Sequence, residues 1–135
     1  MSKRLRELVR RRAGDRCEYC HLPQQATPFV SFHVEHIIAK QHVSAATKDP
    51  QYLALSCDRC NAHKGPNLTS IDPDSGQISV LFDPRKHTWD EHFEVCEGIV
   101  AGKTGIGRAT VRLLNMNAPR RVELRLEWLQ GTGDK

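Results

Sequence analysis

The alternation of polar and apolar residues is clearest from Val30 to Ile37, where β-branched and aromatic side chains recur at every second position. A period of two predicts a β-strand. A second short strand is predicted at Tyr52–Ser56, after a polar loop over residues 39–50. A short helix is then predicted from Cys57 to Lys64, where a glycine–proline pair ends it. The centre of the chain therefore reads strand, loop, strand, helix.

The flanking segments add helices at both ends and strands between them. Ser2 is expected to cap a first helix whose apolar stripe is Leu5, Leu8 and Val9, and Gly14 is expected to end it. The other predicted elements are a turn at Asp72–Gly76, strands at Gln77–Phe82 and Phe93–Ala101 with a hairpin turn at Glu97-Gly98, and helices at about Gly107–Leu114 and Pro119–Leu129.

The composition fits one soluble domain spanning residues 1–135. Of the 135 residues 39% are hydrophobic and 27% are charged, which is ordinary for a globular protein. No apolar run approaches the roughly 18 residues of a membrane span, and the N-terminus lacks the apolar stretch of a signal peptide. We therefore expect no membrane partner and a cytoplasmic location, where thiols stay reduced.

The positive charge is concentrated at the N-terminus. The chain has a net charge of +4, and residues 1–16 carry seven basic groups against two acidic ones. That segment is therefore +5, and the remainder of the chain is −1. A concentrated basic segment favours a polyanionic partner, and a solvated helix face that keeps the protein soluble is the alternative.

Two pairs of cysteines have the spacing of a zinc site. Cys17 and Cys20 form one Cys-x2-Cys turn, and Cys57 and Cys60 form another. Zinc prefers four ligands in a tetrahedron, and two such turns supply four thiolates, which predicts a closed structural zinc site. Two independent thiol pairs, redox-active or simply buried, are the alternative. Cys96 has no partner at a suitable spacing, and we expect it in the core.

Three polar residues between and beside the cysteines have the chemistry of a nuclease. Histidine suits the general base that activates water, which makes His36 a candidate. Carboxylate and amide oxygens suit a hard cation such as Mg²⁺, which makes Glu35 and Asn61 candidates. Glu35 and His36 are adjacent, so a break at the end of the strand is needed for both to serve one site. The alternatives are a surface charge, a packed strand residue and a helix cap.

Three segments resemble the HNH endonucleases. They are Cys17-Glu-Tyr-Cys20, Phe32-His-Val-Glu-His-Ile-Ile38 and Leu53-Ala-Leu-Ser-Cys-Asp-Arg-Cys-Asn-Ala-His-Lys-Gly65. The resemblance implies an α+β fold whose ββα-metal core is braced by a four-cysteine zinc, with the motif over about residues 17–66. Residues 67–135, with Asp83-Pro-Arg85, Trp89, His92-Phe93, Gly107-Arg-Ala-Thr110 and Met116-Asn117, are similar to a bacterial subgroup of the same family.

The resemblance also implies residue roles and two departures. His36 matches the histidine that activates the attacking water, and Glu35 and Asn61 match ligands of the catalytic cation. The middle asparagine of the signature, which braces the loop that orients this histidine, corresponds to Tyr52. Glu35 itself stands where aspartate is usual, which lengthens the ligand by one methylene.

Further residues are auxiliary candidates. His33 lies two residues before Glu35, and on a strand it would share that face and reach the metal or a phosphate; an exposed strand histidine is the alternative. Lys64 is either a phosphate contact or a solvated lysine. Gly102-Lys-Thr104 resembles the end of a phosphate-binding loop, but the pattern needs glycine where Glu97 stands, so we expect no nucleotide cofactor.

Together these features predict a metal-dependent nuclease that cleaves DNA, with structural Zn²⁺ and catalytic Mg²⁺ or Mn²⁺. The basic N-terminal segment would add attraction to the phosphate backbone that depends on salt. A zinc-stabilised module that binds nucleic acid with weak or lost cleavage is the first alternative, because Tyr52 departs from the signature. A structural zinc protein with a protein partner is the second.

Overall fold

The computed structural model describes residues 1–38 and 48–132, which form two compact units. The first unit contains Met1–Leu68 and Asp83–His87, and the second contains Thr69–Phe82 and the residues from Thr88 onward. Helices and small antiparallel sheets occur in both, so the predicted α+β class is confirmed. Most of the loop predicted over residues 39–50 lies outside the described residues. A single domain over residues 1–135 stays a prediction.

The first unit begins with the predicted helix α1 (Lys3–Ala13). The hydroxyl of Ser2 accepts a hydrogen bond from the Leu5 amide at 3.1 Å, and Gly14 ends the helix with a φ of 67°. Val9 is fully buried, whereas Leu8 remains 39% exposed. The apolar stripe is therefore narrower than the sequence predicts.

The centre of this unit is the predicted ββα arrangement. Strand β1 (His33–His36) pairs antiparallel with β2 (Leu53–Ser56), and helix α2 (Asp58–Lys64) packs against β1. Glu35 lies opposite Ala54 in the ladder, and His36 lies opposite Leu53. The ββα order of the prediction is confirmed.

Strand β1 is shorter than predicted because one side chain organises the preceding residues as a turn. The Gln24 amide donates to the carbonyls of Thr27 at 3.1 Å and Val30 at 2.8 Å, and its oxygen accepts from the Phe32 amide at 2.9 Å. These bonds replace the ladder bonds that a strand from Val30 would need. An alternating pattern does not reveal such local competition.

Strand β2 forms the core of the unit. All four of its residues are completely buried. Its edge away from β1 is covered by Glu18, whose amide donates to the Leu55 carbonyl at 2.9 Å and whose carboxylate accepts from the Leu55 amide at 2.8 Å. Arg85 in turn donates to the Glu18 carboxylate. The first cysteine turn is thus fastened directly to the central strand.

The second unit is built from two hairpins and three helices among its described residues. The predicted hairpin turn at Glu97-Gly98 is confirmed, since both residues have positive φ, 51° and 80°. The strand at Thr69–Ile71 and the helix at Trp89–His92 were not predicted. The elements are β3 (Thr69–Ile71), β4 (Ile78–Val80), α3 (Trp89–His92), β5 (Phe93–Cys96), β6 (Ile99–Gly102), α4 (Gly105–Leu113) and α5 (Pro119–Thr132).

The glycines around α4 serve close backbone packing. A Cβ atom on Gly102 would lie 2.3 Å from the Arg108 amide nitrogen, and one on Gly107 would lie 2.0 Å from the His92 carbonyl oxygen. Only glycine fits at either position. Thr104 caps the helix by accepting from the Gly107 amide at 3.1 Å. The glycine pattern is therefore explained by the packing of α4 on β6.

Helix α5 is fixed by two buried arginines. Arg121 donates to the carbonyls of Leu114 at 2.5 Å and Asn115 at 3.0 Å, and Arg125 donates to those of Gly98 at 2.8 Å and Met116 at 2.7 Å. These charge-assisted bonds satisfy carbonyls at the end of α4 and in the turn between β5 and β6. None of the helices in the described ranges is long and apolar enough to cross a membrane.

The position of Cys96 corrects the prediction. Cys96 is the last residue of β5, and it is exposed rather than part of the core. Of the four residues of this strand only Phe93 is buried, so the strand contacts the interior at its start and Cys96 lies at its exposed end.

Candidate functional site

The two cysteine turns bring four sulfur atoms together in the interior. The Sγ atoms of Cys17, Cys20, Cys57 and Cys60 all lie within 4.8 Å of one another, and those of Cys20 and Cys57 are 3.8 Å apart. A tetrahedral zinc with bonds of about 2.3 Å separates its sulfur ligands by about 3.8 Å. The four side chains are buried, and none forms a disulfide. The predicted four-cysteine metal site is therefore present in the geometry.

The surroundings of the sulfurs favour a metal site over two thiol pairs. In each turn the amide of the second cysteine points at the first sulfur, at 3.5 Å for Cys20 to Cys17 and 3.4 Å for Cys60 to Cys57. Burial raises the pKa of the thiols of Cys17 and Cys60 well above the ordinary value. A hydrogen bond with Cys17 lowers the pKa of the Cys57 thiol, so the pKa directions are mixed within the cluster. The metal site is favoured by the convergence of four sulfurs, which a pair of redox thiols does not need.

Glu35 lies in the interior of the first unit. It is 8% exposed, and its Oε2 atom accepts a hydrogen bond from the Tyr19 hydroxyl at 2.5 Å. The ammonium of Lys64 lies 3.9 Å from the same oxygen. Burial raises the pKa of Glu35 to about 7, although Lys64 and the Tyr19 hydrogen bond both act to lower it. Within the described part of the chain, Oε1 of Glu35 accepts no hydrogen bond.

Lys64 belongs to the same buried cluster. It is 2% exposed, and its ammonium donates to the Ile37 carbonyl at 2.8 Å, just beyond the end of β1. The structure thus places it beside Glu35, with its charge directed inward rather than toward the surface. Lys64 follows Cys60 by four residues on α2, so the two share the inward face of the helix. That spacing was the signal in the sequence.

Tyr19 is the member of this cluster that sequence reasoning missed. Its side chain is completely buried, and burial together with Glu35 raises the pKa of its hydroxyl well above the ordinary value. It therefore stays protonated and donates to Glu35. Its position inside the first Cys-x2-Cys turn was the available signal, because that turn faces the central strand.

His36 and Asn61 lie on the two elements that the cluster joins. His36 is the half-buried last residue of β1, and Asn61 is half-buried on α2, next to Cys60. The ladder is regular through His36, and the chain bends at Ile37 and Ile38. Because adjacent residues of a regular ladder point to opposite faces, this bend does not by itself bring the side chains of Glu35 and His36 to one side, and their shared site stays a prediction. Among the described residues, the Asn61 side chain has no hydrogen-bond partner.

Tyr52 contacts the end of β1 through its backbone. Its carbonyl accepts from the Ile37 amide at 2.9 Å, and it closes a single 3₁₀ turn, Pro50–Tyr52, that Asp49 caps. Arg12 of α1 donates to the carbonyls of Pro50, the first residue of this turn, at 3.0 Å and of Leu53, the residue after it, at 2.7 Å. The position of the middle signature residue thus adjoins His36.

His33 stands apart from the buried cluster. It is exposed at the start of β1, opposite Ser56 in the ladder. Although it is two residues from Glu35 on the same strand, the structure places Glu35 in the interior and His33 at a surface cavity.

Comparison with known proteins identifies the first unit's central segment. Residues 17–67 match the family model of the HNH endonuclease. No curated protein and no solved structure matches the chain. The resemblance stated from the sequence is confirmed over this segment, which contains the four cysteines, Glu35, His36 and Asn61. An HNH domain indicates a nuclease or nucleic-acid-binding role.

Proposed function

We propose that the HNH domain of residues 17–67 hydrolyses DNA phosphodiester bonds with the help of a divalent cation. One observation carries this proposal: the Glu35-His36 pair ends strand β1 against the helix that bears Asn61, within the segment that matches the family. DNA is the substrate we favour because the first sixteen residues of the same unit carry a net charge of +5.

Zinc fits the four-cysteine cluster as a structural ion. All four ligand positions are taken by sulfur, so no position remains for a substrate. Cys57 also caps α2, since its sulfur accepts from the Cys60 amide, and the first cysteine turn is bound to β2 through Glu18. The cluster therefore fixes the position of α2, and with it Asn61, relative to the two strands.

The residues that would hold the catalytic cation fit a hard ion. Glu35 offers Oε1, because Tyr19 and Lys64 contact Oε2, and Asn61 offers an amide oxygen. Carboxylate and amide oxygens are ligands that Mg²⁺ and Mn²⁺ accept. When bound, such an ion polarises a phosphate and stabilises the charge that develops during hydrolysis. Both residues therefore suit the role that the family resemblance implies.

His36 is the general base in this proposal. Its imidazole accepts a proton from the water molecule that attacks the phosphorus, and bond breaking releases the 3′ oxygen of the leaving strand. The chain bends directly after His36, and the Ile37 amide donates a hydrogen bond to the Tyr52 carbonyl. Both features hold the backbone next to His36 in one position. Tyr19 and Lys64 hold the neighbouring Glu35 in one position.

Cleavage of supercoiled plasmid tests the proposal. The zinc-loaded protein is incubated with Mg²⁺ or Mn²⁺ beside the variants His36→Ala and His63→Ala. His63 is a second histidine in the same motif, so His63→Ala is the matched control for losses of activity that follow from removing any histidine side chain there. We expect the wild type and His63→Ala to nick or linearise the plasmid and His36→Ala to lose at least about a hundredfold in rate. Equal cleavage by His36→Ala would contradict the assigned base.

A DNA-binding module without cleavage is the second candidate. Two observations favour it: Tyr52 occupies the position of the signature asparagine, and Lys64 already neutralises Glu35. Retention of DNA that weakens with salt, without nicking in any metal, would select this function. If neither retention nor nicking is seen, the partner is another protein and the site supports neither function.

A further inference from the structure

We infer that the cavity between α1 and the start of β1 is a binding site for a backbone phosphate of DNA, separate from the site of cleavage. The cavity measures about 320 Å³, which is within the range of about 300 to 1,000 Å³ for ligand sites. Its lining combines basic and small polar side chains with an apolar wall: Arg6, Arg10, Ser31, His33, Phe32 and Val34. The inference rests on the proposed function, since it names the ligand as DNA.

The arginines of this cavity differ in how they are held. Arg10 donates to Asp15 at 3.1 Å and to the Phe32 carbonyl at 3.2 Å, so its guanidinium is fixed beside the first residues of β1. Two of its five N–H donors are used in this way, and the others remain. The Arg6 side chain, one turn earlier, makes no hydrogen bond or ion pair with any described residue. The Arg10 guanidinium is held in place, and the Arg6 guanidinium can turn toward a ligand. Together they offer N–H donors to the oxygens of a phosphodiester.

The charge of the cavity supports an anionic ligand. Asp15 is the acidic group paired with Arg10, and its side chain is 48% exposed, so solvent weakens this pair. Arg6 adds a full charge with no acidic partner among the described residues, and the exposed His33 adds its imidazole to the lining. The site is therefore net positive.

The location of the cavity relates it to the proposed cleavage site. His33 begins β1 and His36 ends it, so the two residues are about 10 Å apart along the strand. Each strand of a DNA duplex carries a phosphate about every 3.4 Å along the axis. A duplex cleaved at His36 therefore has other phosphates within a few nucleotides, near His33. The cavity would bind one of these and set the position of the substrate.

Binding of a 20-base-pair duplex in the absence of divalent cations tests the inference. Arg6→Ala is compared with Arg4→Ala, an exposed arginine of the same helix that does not line the cavity. Loss of one phosphate contact reduces the slope of log affinity against log salt by about 0.9, which is about eightfold in affinity at 0.1 M salt. We expect this loss for Arg6→Ala, at most about twofold for Arg4→Ala, and partial recovery for Arg6→Lys. Equal losses in both alanine variants would overturn the inference.

Two further measurements separate the possible outcomes. Because the binding assay needs no cleavage, an Arg6-dependent salt slope in a protein that never nicks DNA would support the cavity and contradict the nuclease. In an active protein, Arg6→Ala should raise KM about eightfold and leave kcat unchanged. The second measurement is a calorimetric titration of the protein with inorganic phosphate. Phosphate binding that depends on Arg6, together with unchanged DNA affinity in Arg6→Ala, would assign the cavity to a free anion and overturn the DNA assignment.

Discussion

The ammonium of Lys64 lies 3.9 Å from Glu35 Oε2 while it donates to the Ile37 carbonyl at 2.8 Å. Both side chains are nearly inaccessible to solvent, at 3% and 7% exposure. Each charge therefore depends on the other for compensation, and the pair joins α2 to the end of β1 beside His36. A cation bound at Glu35 would share its carboxylate with this lysine.

Replacing Lys64 with methionine removes the ammonium and keeps most of the side-chain volume. Lys64 lowers a Glu35 pKa that burial has raised to about 7, so the pKa rises further in the variant. A carboxyl with a raised pKa in the folded state binds a proton on folding, and its contribution to stability declines as pH rises toward that pKa. We expect Lys64→Met to cost about 1 kcal/mol in unfolding free energy at pH 6 and about 2 kcal/mol at pH 8.

Urea unfolding of the zinc-loaded protein at both pH values measures this difference. Lys86→Met, which removes an exposed lysine, is the control and should change stability little at either pH. A penalty for Lys64→Met that is the same at pH 6 and pH 8 would mean that Glu35 is not ionised in the folded protein.

For the region around Glu35, the sequence revealed which residue types are present but not which of them are in contact. The cysteine spacing and the order of β1, β2 and α2 follow from local patterns, and both were predictable. The contact of Tyr19 with Glu35 joins residues 16 positions apart and depends on how the cysteine turn docks on β2. Burial of Lys64 had one signal, its position four residues after Cys60, but lysine is seldom buried, so the sequence did not reveal its contact with Glu35.

The second unit illustrates a different limit. The hairpin turn at Glu97-Gly98 was predictable because Gly98 adopts the positive φ of such a turn without strain. The role of Arg121 and Arg125 was not, since arginines in a helix are usually exposed and their carbonyl partners come from distant parts of the chain. The short helix α3 contains only four residues, fewer than a periodic pattern needs to be recognised.

Loss of one cysteine ligand should release zinc and unfold the first unit. In Cys57→Ser the cluster retains three sulfurs, and the cap of α2 loses the sulfur that accepts from the Cys60 amide. We expect the wild type to bind one equivalent of zinc and the variant to lose it, with loss of the cooperative unfolding transition. Metal analysis and circular dichroism measure both. Cys96→Ser, which changes an exposed cysteine, should keep the metal; zinc retained by a folded Cys57→Ser would contradict the site.

The second unit contains an ion pair, Asp72 with Arg108, whose contribution to stability depends on pH. Arg108 donates to both carboxylate oxygens of Asp72 at 2.9 Å, and this pairing holds the pKa of Asp72 well below its ordinary value. A lowered pKa stabilises the fold above the unfolded value, about pH 4, and the benefit is lost as pH falls below it. We therefore expect Asp72→Asn to lower the melting temperature at pH 7 by several degrees and to differ less from the wild type at pH 3.

Asp74 provides the control for this ion pair. It lies 3.2 Å from the same Arg108 group, but its side chain is 71% exposed. Asp74→Asn should change the melting temperature little at pH 7, because solvent screens an exposed pair. If Asp72→Asn and Asp74→Asn lower the melting temperature equally at pH 7, burial of Asp72 does not strengthen its pair with Arg108.

Tyr52 offers a direct test of how the motif's departure affects catalysis. Its backbone carbonyl binds the Ile37 amide next to His36, and that contact does not depend on the side chain. Tyr52→Asn restores the amide to which the family resemblance assigns the orientation of His36, whereas Tyr52→Phe keeps the ring and restores nothing. Because small misplacements of a catalytic group cost up to about a hundredfold in rate, we expect Tyr52→Asn to raise single-turnover plasmid cleavage by at least tenfold, while Tyr52→Phe stays at the wild-type rate. Equal rates in all three proteins, with DNA affinity unchanged, would mean that the pose of His36 is set by other residues.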